Sequence, residues 1–498
     1  MNPFKATGLD GVSSRFLRDA AVLVEPISHM VNLSIITETV PRQFKQAKVI
    51  PLFKKGSTLD PGNYRPVSLL PVLSKILERA VDGQLKQYLE KKKILSNKQS
   101  GFRSRFSTDT CLIGLSDSIR NEVSRGNMVG MVLIDLRKAF DTVDFEILLS
   151  KLDAIGVTCV AWFRSYLFGR EQCVEVDGIR SNFLQVSCGV PQGSILGPQL
   201  FLLYINDLSI SVDCDLSLYA DDSALIFAHQ DPIHIANHLS AQLDKCKEWL
   251  TDNRLSLHVG KTESILFGSK RKLKRVNGYQ VMCERTPVKQ VTSVCYLGVL
   301  LNDSLDGKSQ ADNVIRKCGG RIAFLFRHGS ILNFQARKVL CSTLVQPFLD
   351  YCSSSWYFGL TKQLKSKLDV LQRKMIRFIF SMHFLDHVDP SRFAELSWLT
   401  VKDRVRFFQL CHVFRIKMGK APSYMCEYFS PVSSLHSHST RGSHAHNYFV
   451  SPQVSRMPDS FAYSAIREWN ALPVDLKCIE RESNFKRKLK AYFSATYK

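Results

Sequence analysis

The sequence contains 498 residues, of which 45% are hydrophobic, which is enough apolar material for two or three packed cores. Its 67 Lys and Arg residues against 45 Asp and Glu residues give a net charge of +22, which favours a polyanionic partner, nucleic acid before an anionic membrane. No apolar run approaches the roughly 20 residues that span a bilayer, and the N-terminal stretch lacks the apolar core of a signal peptide. We therefore expect an intracellular protein that does not bind a membrane.

The cysteines and histidines do not form a recognisable metal or disulfide pattern. The 14 cysteines are scattered between Cys111 and Cys478 without a CxxC pair, which argues against a disulfide scaffold or a zinc ribbon. Four histidines crowd one polar stretch near the C-terminus, namely His436, His438, His444 and His446. Because metal-ligand spacing is absent, we interpret that stretch as a solvated loop rather than a zinc site.

The first part of the chain predicts helices separated by basic loops and strands. An amphipathic helix is expected before residue 33, then strands and loops rich in Pro, Gly, Lys and Arg from Pro41 to Pro71. Helices are predicted from Ser74 to Lys93 and over 108–125, where apolar residues recur on one face and Gly126 can end the helix.

The middle of the chain predicts strands that end in acids. The apolar run Met128–Leu136 is expected to form a buried strand, and the stretch SLYADDSALIFA two short strands joined at a polar tip that carries Asp221 and Asp222. A one-sided helix should follow, since Asp231 can cap it and Pro232 suits its first position.

Beyond Asn302 the sequence predicts a helical domain. Amphipathic, basic helical stretches dominate to about residue 420, and those after residue 310 are expected to hold a duplex by its phosphates. Trp356 and Tyr357 are interpreted there as core residues rather than stacking platforms. The basic cluster Ser269–Arg275 is predicted to be a solvated loop rather than a nuclear localisation signal.

Two acidic sites follow directly on apolar strands, Asp135 in MVLIDLRKAFD and Asp221 with Asp222 in LYADD. A lone Asp in such a place usually only ends the strand. Nucleotidyl transfer, however, needs two Mg²⁺ ions about 3.5–4 Å apart, and Mg²⁺ prefers carboxylate oxygens while keeping water and phosphate ligands. Because two or three carboxylates on rigid neighbouring strands suffice for such a centre, these acids are candidate metal ligands.

Longer motifs occur around these acids in a fixed order. DLRKAFDTVDFEILLSKL surrounds Asp135, GVPQGSILGPQLFLLYINDL precedes YADD, and RLSLHVGKTESILFG and YLGVLL follow it. NYRPVSLLPVLSKILER and QSGFRSRFST stand upstream, and LVQPFLDYCSSSWYF and LQRKMIRFI downstream. Together they resemble the motifs of reverse transcriptases from LINE-type (non-LTR) retrotransposons, and the downstream pair resembles the extension found in CR1- and jockey-like elements.

The resemblance implies a role for each acid. Asp135 and Asp221 would be the metal ligands, and Asp222 would lie beside the primer end as a third carboxylate. The expected cofactor is a pair of Mg²⁺ ions, for which Mn²⁺ could substitute.

Further residues are carried over in the same way. Phe140 would collide with a ribose 2′-hydroxyl and so select deoxynucleotides, although its spacing alone favours a core residue. Gln192 and Gly193 would form the turn under the incoming base and sugar. The alternative is a turn that has no contact with a nucleotide. Lys261 would donate a proton to departing pyrophosphate, or be an ordinary surface lysine. Arg65 would clamp the triphosphate.

The resemblance therefore implies an RNA-directed DNA polymerase that acts on an RNA template, a DNA primer and dNTPs, with the nucleus as its expected location. An RNA-dependent RNA polymerase is disfavoured by the ring of Phe140. A non-catalytic RNA-binding scaffold is disfavoured by the three intact aspartates. The family usually carries His at the position of Phe145, a departure that should not affect metal binding. Oligomeric state and target site are not encoded in any motif.

The fold class we expect is α/β (α+β), a right-hand polymerase with fingers, a palm built of an antiparallel sheet with helices, and a helical thumb. Residues 1–33 would form an N-terminal helical extension and 34–301 the reverse transcriptase domain of fingers and palm. Residues 302–400 would form the thumb and connection, and 401–498 a C-terminal region of unknown role.

Overall fold

The computed structural model describes residues 6–329, 331–435 and 445–497, so that His436, His438 and His444 lie outside the described residues. The chain forms two compact units that are interleaved along the sequence. Unit 1 comprises Met1–Phe102, Ile134–Ser223 and Ala241–Lys261, and unit 2 comprises Arg103–Leu133, Ala224–Ser240 and Thr262–Lys498. The predicted division into four consecutive domains stays a prediction.

Helices and strands alternate up to Asn302, and helices follow. The helices are α1 (Ser14–Asp19), α2 (Val24–Ile36), α3 (Val72–Lys92), α4 (Thr108–Ser124), α5 (Phe145–Ala154), α6 (Val160–Leu167), α7 (Leu196–Ile205), α8 (Leu208–Ser211), α9 (Pro232–Asp252), α10 (Lys270–Leu273), α11 (Lys308–His328), α12 (Phe334–Leu344), α13 (Gln346–Asp350), α14 (Ser353–Trp356), α15 (Lys362–Ile379), α16 (Ser391–Leu396), α17 (Val401–Lys417), α18 (Ser423–Cys426), α19 (Pro452–Ser455), α20 (Phe461–Asn470), α21 (Val474–Lys477) and α22 (Glu482–Ser494). The strands are β1 (Gln46–Phe53), β2 (Tyr64–Leu69), β3 (Met128–Ile134), β4 (Arg170–Val176), β5 (Ile179–Arg180), β6 (Leu184–Val186), β7 (Asp215–Tyr219), β8 (Asp222–His229), β9 (Glu263–Phe267), β10 (Met282–Cys283), β11 (Thr286–Pro287), β12 (Lys289–Gln290), β13 (Ser293–Tyr296) and β14 (Val299–Asn302).

Unit 1 contains a sheet in the order β2-β1-β4-β5, with β6 also paired to β4. The β1 strand is antiparallel to β2 and parallel to β4. Helix α7 in the same unit is buried along almost its whole length, as expected for a helix that is apolar on all sides. These elements give unit 1 a rigid frame around the loops that carry most of the candidate site residues.

Unit 2 contains the strands β12, β9, β3 and β8 in that order, with β3 and β9 antiparallel. Nearly every residue of β3 is buried, which explains its uninterrupted apolar sequence. Gly130 lies in the middle of β3, where a Cβ atom would come within 2.4 Å of Ile235 and 2.6 Å of Leu239 on α9. The glycine therefore allows α9 to pack directly on the strand.

The C-terminal helices of unit 2 have a core of their own. Helix α17 packs against α20 and α22, and the ring of Phe414 stacks on Phe485 with centroids 4.5 Å apart. Trp469 on α20 is fully buried. Residues 401–497, in the parts that the structure describes, therefore form packed helices and not a loose tail.

Most of the predicted elements are confirmed. The helices expected at 74–93, 108–125 and after Asp231 form as α3, α4 and α9, and the acidic hairpin forms as β7 and β8. Trp356 and Tyr357 are buried, as predicted. The predicted loop at Ser269–Arg275 is wrong in part, because Ser269 caps the short helix α10.

The mixture of helices and sheets confirms the predicted α/β class. Within the described residues, none of the helices is long and apolar enough to cross a bilayer.

Candidate active site

A cleft with a volume of about 1470 Å³ opens in unit 1. Its walls come from β1, β2, the segment after β3, and the turn that precedes α7. It is lined by all but one of the site residues that the sequence predicts, namely Arg65, Asp135, Phe140, Gln192, Gly193, Asp221 and Lys261. The structure thus brings residues from five separate stretches of sequence to one cavity.

Asp135 is the first residue after β3, and the chain that carries Lys261 runs beside it. The Asp135 carbonyl accepts a hydrogen bond from His258 N at 2.8 Å, and Arg137 N donates to Ser256 O at 2.9 Å. The Lys261 Nζ lies 3.5 Å from Asp135 Oδ2. This ammonium therefore lies beside the Asp135 carboxylate at the edge of the cleft, and its role in catalysis stays a prediction.

Asp221 and Asp222 occupy the tight tip between β7 and β8. Ala220 adopts a left-handed backbone conformation with φ of 57°. The Gln99 Oε1 accepts hydrogen bonds from Ala220 N at 3.0 Å and Gly101 N at 2.7 Å. Because a Cβ at Gly101 would lie 2.4 Å from Ala220 N, the segment 99–101 holds the tip in place through direct backbone contact.

The three carboxylates interact electrostatically. Partial removal of water raises the pKa of Asp221, and the charge of Asp135 raises it further while Arg65 and Lys54 oppose the rise. The pKa of Asp222 rises to about 6, first because neighbouring atoms displace water and then because Asp221 and Asp135 are negative. Both side chains still reach solvent. The acids therefore form one negatively charged cluster at the cleft.

The donor set suits a hard divalent cation that is shared with a substrate. Within 6–329, 331–435 and 445–497, no group of three or more His, Cys, Asp or Glu side chains is gathered tightly enough to hold an ion alone. Mg²⁺ keeps several waters and binds through one or two carboxylates plus substrate phosphates, so an open acidic set fits it. A cation would also offset the mutual repulsion that raises the pKa values of Asp221 and Asp222.

Phe140 is both a packed residue and a wall of the cleft. Its ring stacks on Phe201 with centroids 4.4 Å apart and meets Phe102 edge to face at 6.4 Å. The side chain is half-buried and lines the cavity. The two interpretations of Phe140, a core residue and a ring that collides with a ribose 2′-hydroxyl, are thus compatible. A ring must be held firmly by its neighbours if it is to exclude a hydroxyl group.

The turn with Gln192 and Gly193 is fixed to β2. Ser68 N donates to Gln192 O at 2.8 Å, and Gly193 has φ of 129° with no room for a Cβ, which would lie 2.5 Å from Ser68 O. Arg65 lies on the same strand, where its exposed side chain lines the cavity. The backbone of β2 therefore sets the distance between the arginine and the turn.

Phe145, where the family usually has His, is buried at the start of α5 against Phe168, with ring centroids 5.2 Å apart.

The sequence did not single out Gln99, Gly101 or Asp141. Gln99 and Gly101 belong to the quoted motif QSGFR, and Asp141 is the second acid of DLRKAFD. Their roles depend on contacts with distant segments, which no local pattern indicates.

Comparisons with known proteins agree with this geometry. Residues 53–301 match the family model described as "Reverse transcriptase (RNA-dependent DNA polymerase)". The chain is 27% identical over 395 residues to the RNA-directed DNA polymerase from mobile element jockey of Drosophila funebris, covering 76% of this chain and 42% of the relative. It is 28% identical over 395 residues to the probable RNA-directed DNA polymerase from transposon BS of Drosophila melanogaster, covering 75% and 43%.

A third relative is the probable RNA-directed DNA polymerase from transposon X-element of Drosophila melanogaster, with 26% identity over 363 residues, 71% of this chain and 39% of the relative. This chain thus spans about two fifths of the length of these relatives. A solved structure of apo telomerase from Candida tropicalis is similar with a TM-score of 0.37 and 13% identity over 56% of this chain and 59% of that one, too weak a likeness to carry an argument.

The match covers half of the chain and includes every predicted site residue. The relatives named for jockey, BS and X-element confirm the resemblance to jockey-like non-LTR elements. By its motifs, its cleft and this match, the chain belongs to the reverse transcriptase (RNA-dependent DNA polymerase) family.

Proposed function

We propose that this chain catalyses RNA-directed DNA synthesis, adding deoxynucleotides to the 3′ end of a DNA primer on an RNA template. The observation that carries the proposal is the electrostatic coupling of three carboxylates from two separate strand ends, Asp135, Asp221 and Asp222, at the edge of one large cleft. The fingers, palm, thumb and C-terminal boundaries predicted from the sequence belong to the same proposal.

Asp135 and Asp221 would hold two Mg²⁺ ions, with Asp222 as a third carboxylate, and Mn²⁺ could replace them. When bound, such ions activate the attacking 3′ oxygen and neutralise charge on the leaving pyrophosphate. The protein contributes rigidity, since β3 is buried and the tip at Ala220 is held by Gln99. Fixed carboxylates need no rearrangement during the reaction, which lowers its barrier.

Lys261 and Arg65 supply positive charge. Lys261, 3.5 Å from the Asp135 carboxylate, would donate a proton to the departing pyrophosphate. Arg65 affects the pKa of Asp221 and would bind the triphosphate through its forked guanidinium.

Phe140, held by Phe201, would exclude a 2′-hydroxyl. Gln192 and Gly193 would form the floor beneath the nucleotide, where the glycine leaves the backbone accessible.

The surplus positive charge of the chain would bind the template and primer through their phosphates, largely independently of base sequence. Basic residues of α11, such as Arg316 and Lys317, are expected to contribute. Such binding weakens steeply with salt. The nucleus, where DNA is available as a primer, is the proposed location.

Primer extension on an RNA template with Mg²⁺ tests the proposal, with dNTPs compared with NTPs. The wild type should incorporate dNTPs, and the Asp221→Ala, Asp222→Ala double variant should not. Phe140→Val should raise incorporation of NTPs relative to dNTPs by about tenfold or more, because the steric block is removed. A folded wild type that binds primer–template but incorporates nothing would leave the RNA-binding scaffold as the better interpretation.

A further inference from the structure

The side chain of Gln192 is held by Asp141, a residue to which the motifs assign no role. The Gln192 Nε2 donates a hydrogen bond to Asp141 Oδ1 at 2.8 Å. Asp141 ends the 3₁₀ turn Ala139–Asp141, so it directly follows Phe140. Both Asp141 and Gln192 line the cleft. A carboxylate is thus placed between the ring that would check the sugar and the amide that would contact the nucleotide.

The backbone fixes this pair from two sides. Val190 N donates to Phe140 O and Gly189 N donates to Val143 O, both at 2.8 Å. Gly189 has φ of 86°, and a Cβ there would lie 2.6 Å from Asp141 O. The segments 140–143 and 189–190 therefore lie in direct backbone contact, which leaves the Asp141 and Gln192 side chains little freedom to separate.

The chemistry of the two groups determines which end of the amide is engaged. An ionised carboxylate only accepts hydrogen bonds, whereas a carboxamide has a donor end and an acceptor end. Asp141 takes one of the two amide N–H groups and thereby fixes how the whole amide is turned, so the Gln192 carbonyl oxygen, together with the second N–H, remains for a ligand. Among the described residues, the protein donates no hydrogen bond to that oxygen. A carbonyl oxygen binds hydroxyl or N–H donors, which a nucleoside carries and a phosphate oxygen does not.

We propose that Asp141 is a positioning residue that orients the Gln192 amide so that its carbonyl oxygen faces a donor on the nucleoside part of the incoming nucleotide. This inference rests on the proposed function and adds a specificity device to it. The Asp141 carboxylate is partly shielded from water, and this burial raises its pKa. The bond from Gln192 and the charges of Lys138 and Lys54 act in the opposite direction and favour the ionised, acceptor-only form.

A double-mutant cycle in primer extension tests the assignment. Asp141→Leu keeps much of the volume but cannot accept a hydrogen bond, and it should raise the KM for dNTP by about tenfold while kcat changes much less, because binding of the nucleotide is what is lost. Gln192→Ala should raise the KM comparably. The double variant should resemble Gln192→Ala alone, since Asp141 acts through the amide. Asp141→Asn, which can still offer a carbonyl oxygen to the amide, should recover part of the loss.

Asp153→Leu serves as the matched control, because it makes the same substitution at an exposed residue of α5 that does not line the cleft. Its KM should stay within about twofold of wild type, since no nucleotide contact is removed. An unchanged KM in Asp141→Leu, or effects of the two substitutions that multiply independently, would overturn the assignment while leaving the polymerase intact. A wild type that extends no primer would overturn the proposed function as well.

Discussion

The acids in the interior and the acids at the cleft all have a pKa that is raised by loss of water, completely or in part, but they meet different neighbours. Asp117 on α4 accepts hydrogen bonds from Phe461 N at 3.0 Å and Ala462 N at 2.9 Å, at the start of α20. Glu78 on α3 accepts one from Ile195 N at 2.5 Å, at the start of α7. In both places the carboxylate satisfies the free N–H groups of a helix N-terminus.

At the cleft the acids face one another instead. Asp221 and Asp222 each have a raised pKa to which another carboxylate contributes, and that contribution is absent from the causes that act on Glu78 and Asp117. N–H donors offset part of the cost of burying a carboxylate, whereas a second carboxylate adds to that cost until a cation is bound. The comparison separates acids that accept hydrogen bonds from the fold from the acids that we propose bind a cation.

The largest effect on stability is expected at Asp117. Asp117→Ala would leave two helix N–H groups and the buried charge of Arg120, whose Nη1 lies 3.5 Å from the carboxylate, without their partner. The free energy of unfolding should fall by about 3–5 kcal/mol. Thermal unfolding of the variant beside wild type measures this loss.

Asp312→Ala is the control, since Asp312 is an exposed helical aspartate in the same unit. That substitution should change stability by less than about 0.5 kcal/mol. Equal losses of unfolding free energy in Asp117→Ala and Asp312→Ala would show that the buried contacts of Asp117 do not stabilise the fold.

Glu78 should make stability depend on pH in a defined direction. Burial raises the pKa of Glu78, although Ile195 N, Arg170 and Leu196 N oppose the rise. Above the ordinary carboxyl pKa the unfolded chain therefore loses this proton while the folded chain keeps it, so stability falls as pH rises, by at most about 1.4 kcal/mol per pH unit.

Glu78→Gln should remove that part of the slope, because an amide does not titrate. Denaturant unfolding between pH 4 and 8 would show it, with the exposed Glu90→Gln on the same helix as the matched control. A slope that is the same in all three proteins would contradict burial of an ionisable Glu78.

The smallest expected change in stability is at Asp222, and it tests most directly whether the acids at the cleft differ from the acids in the interior. Asp222→Asn removes a charge from the acidic cluster, and since the pKa of Asp222 is raised to about 6, its ionised form opposes folding above that pH. Stability at pH 8 without divalent cations should therefore stay equal or rise, by no more than about 1 kcal/mol after solvent screening. A clear loss of stability would place Asp222 with the structural acids.

Local sequence predicted the elements that are defined by a single stretch of chain. The apolar run before Asp135 and the hairpin around Asp221 were predictable because burial and turn chemistry leave a local pattern. The helical turn at Lys270–Leu273 was missed because a run of basic residues has no apolar face, and only the Ser269 cap indicates it.

Contacts between distant segments could not be predicted in the same way. The bond from Gln192 to Asp141 and the support of Ala220 by Gln99 join residues that are 51 and 121 positions apart. Neither residue pair has a spacing that any secondary structure would bring together. The roles proposed for Asp135, Asp221 and Asp222 come from family resemblance, and the structure adds that the charge of Asp135 contributes to the raised pKa of both other acids.

The most direct test of the central claim compares two Asp→Asn substitutions near the same hairpin. Asp215 begins β7 and forms an exposed pair with Lys98, with Nζ and Oδ1 2.6 Å apart, whereas Asp221 lies at the tip. Single-turnover primer extension at saturating Mg²⁺ should fall by roughly 10³-fold or more in Asp221→Asn and stay within about twofold of wild type in Asp215→Asn. Equal rates in the two variants would contradict a catalytic role for the acids at the cleft.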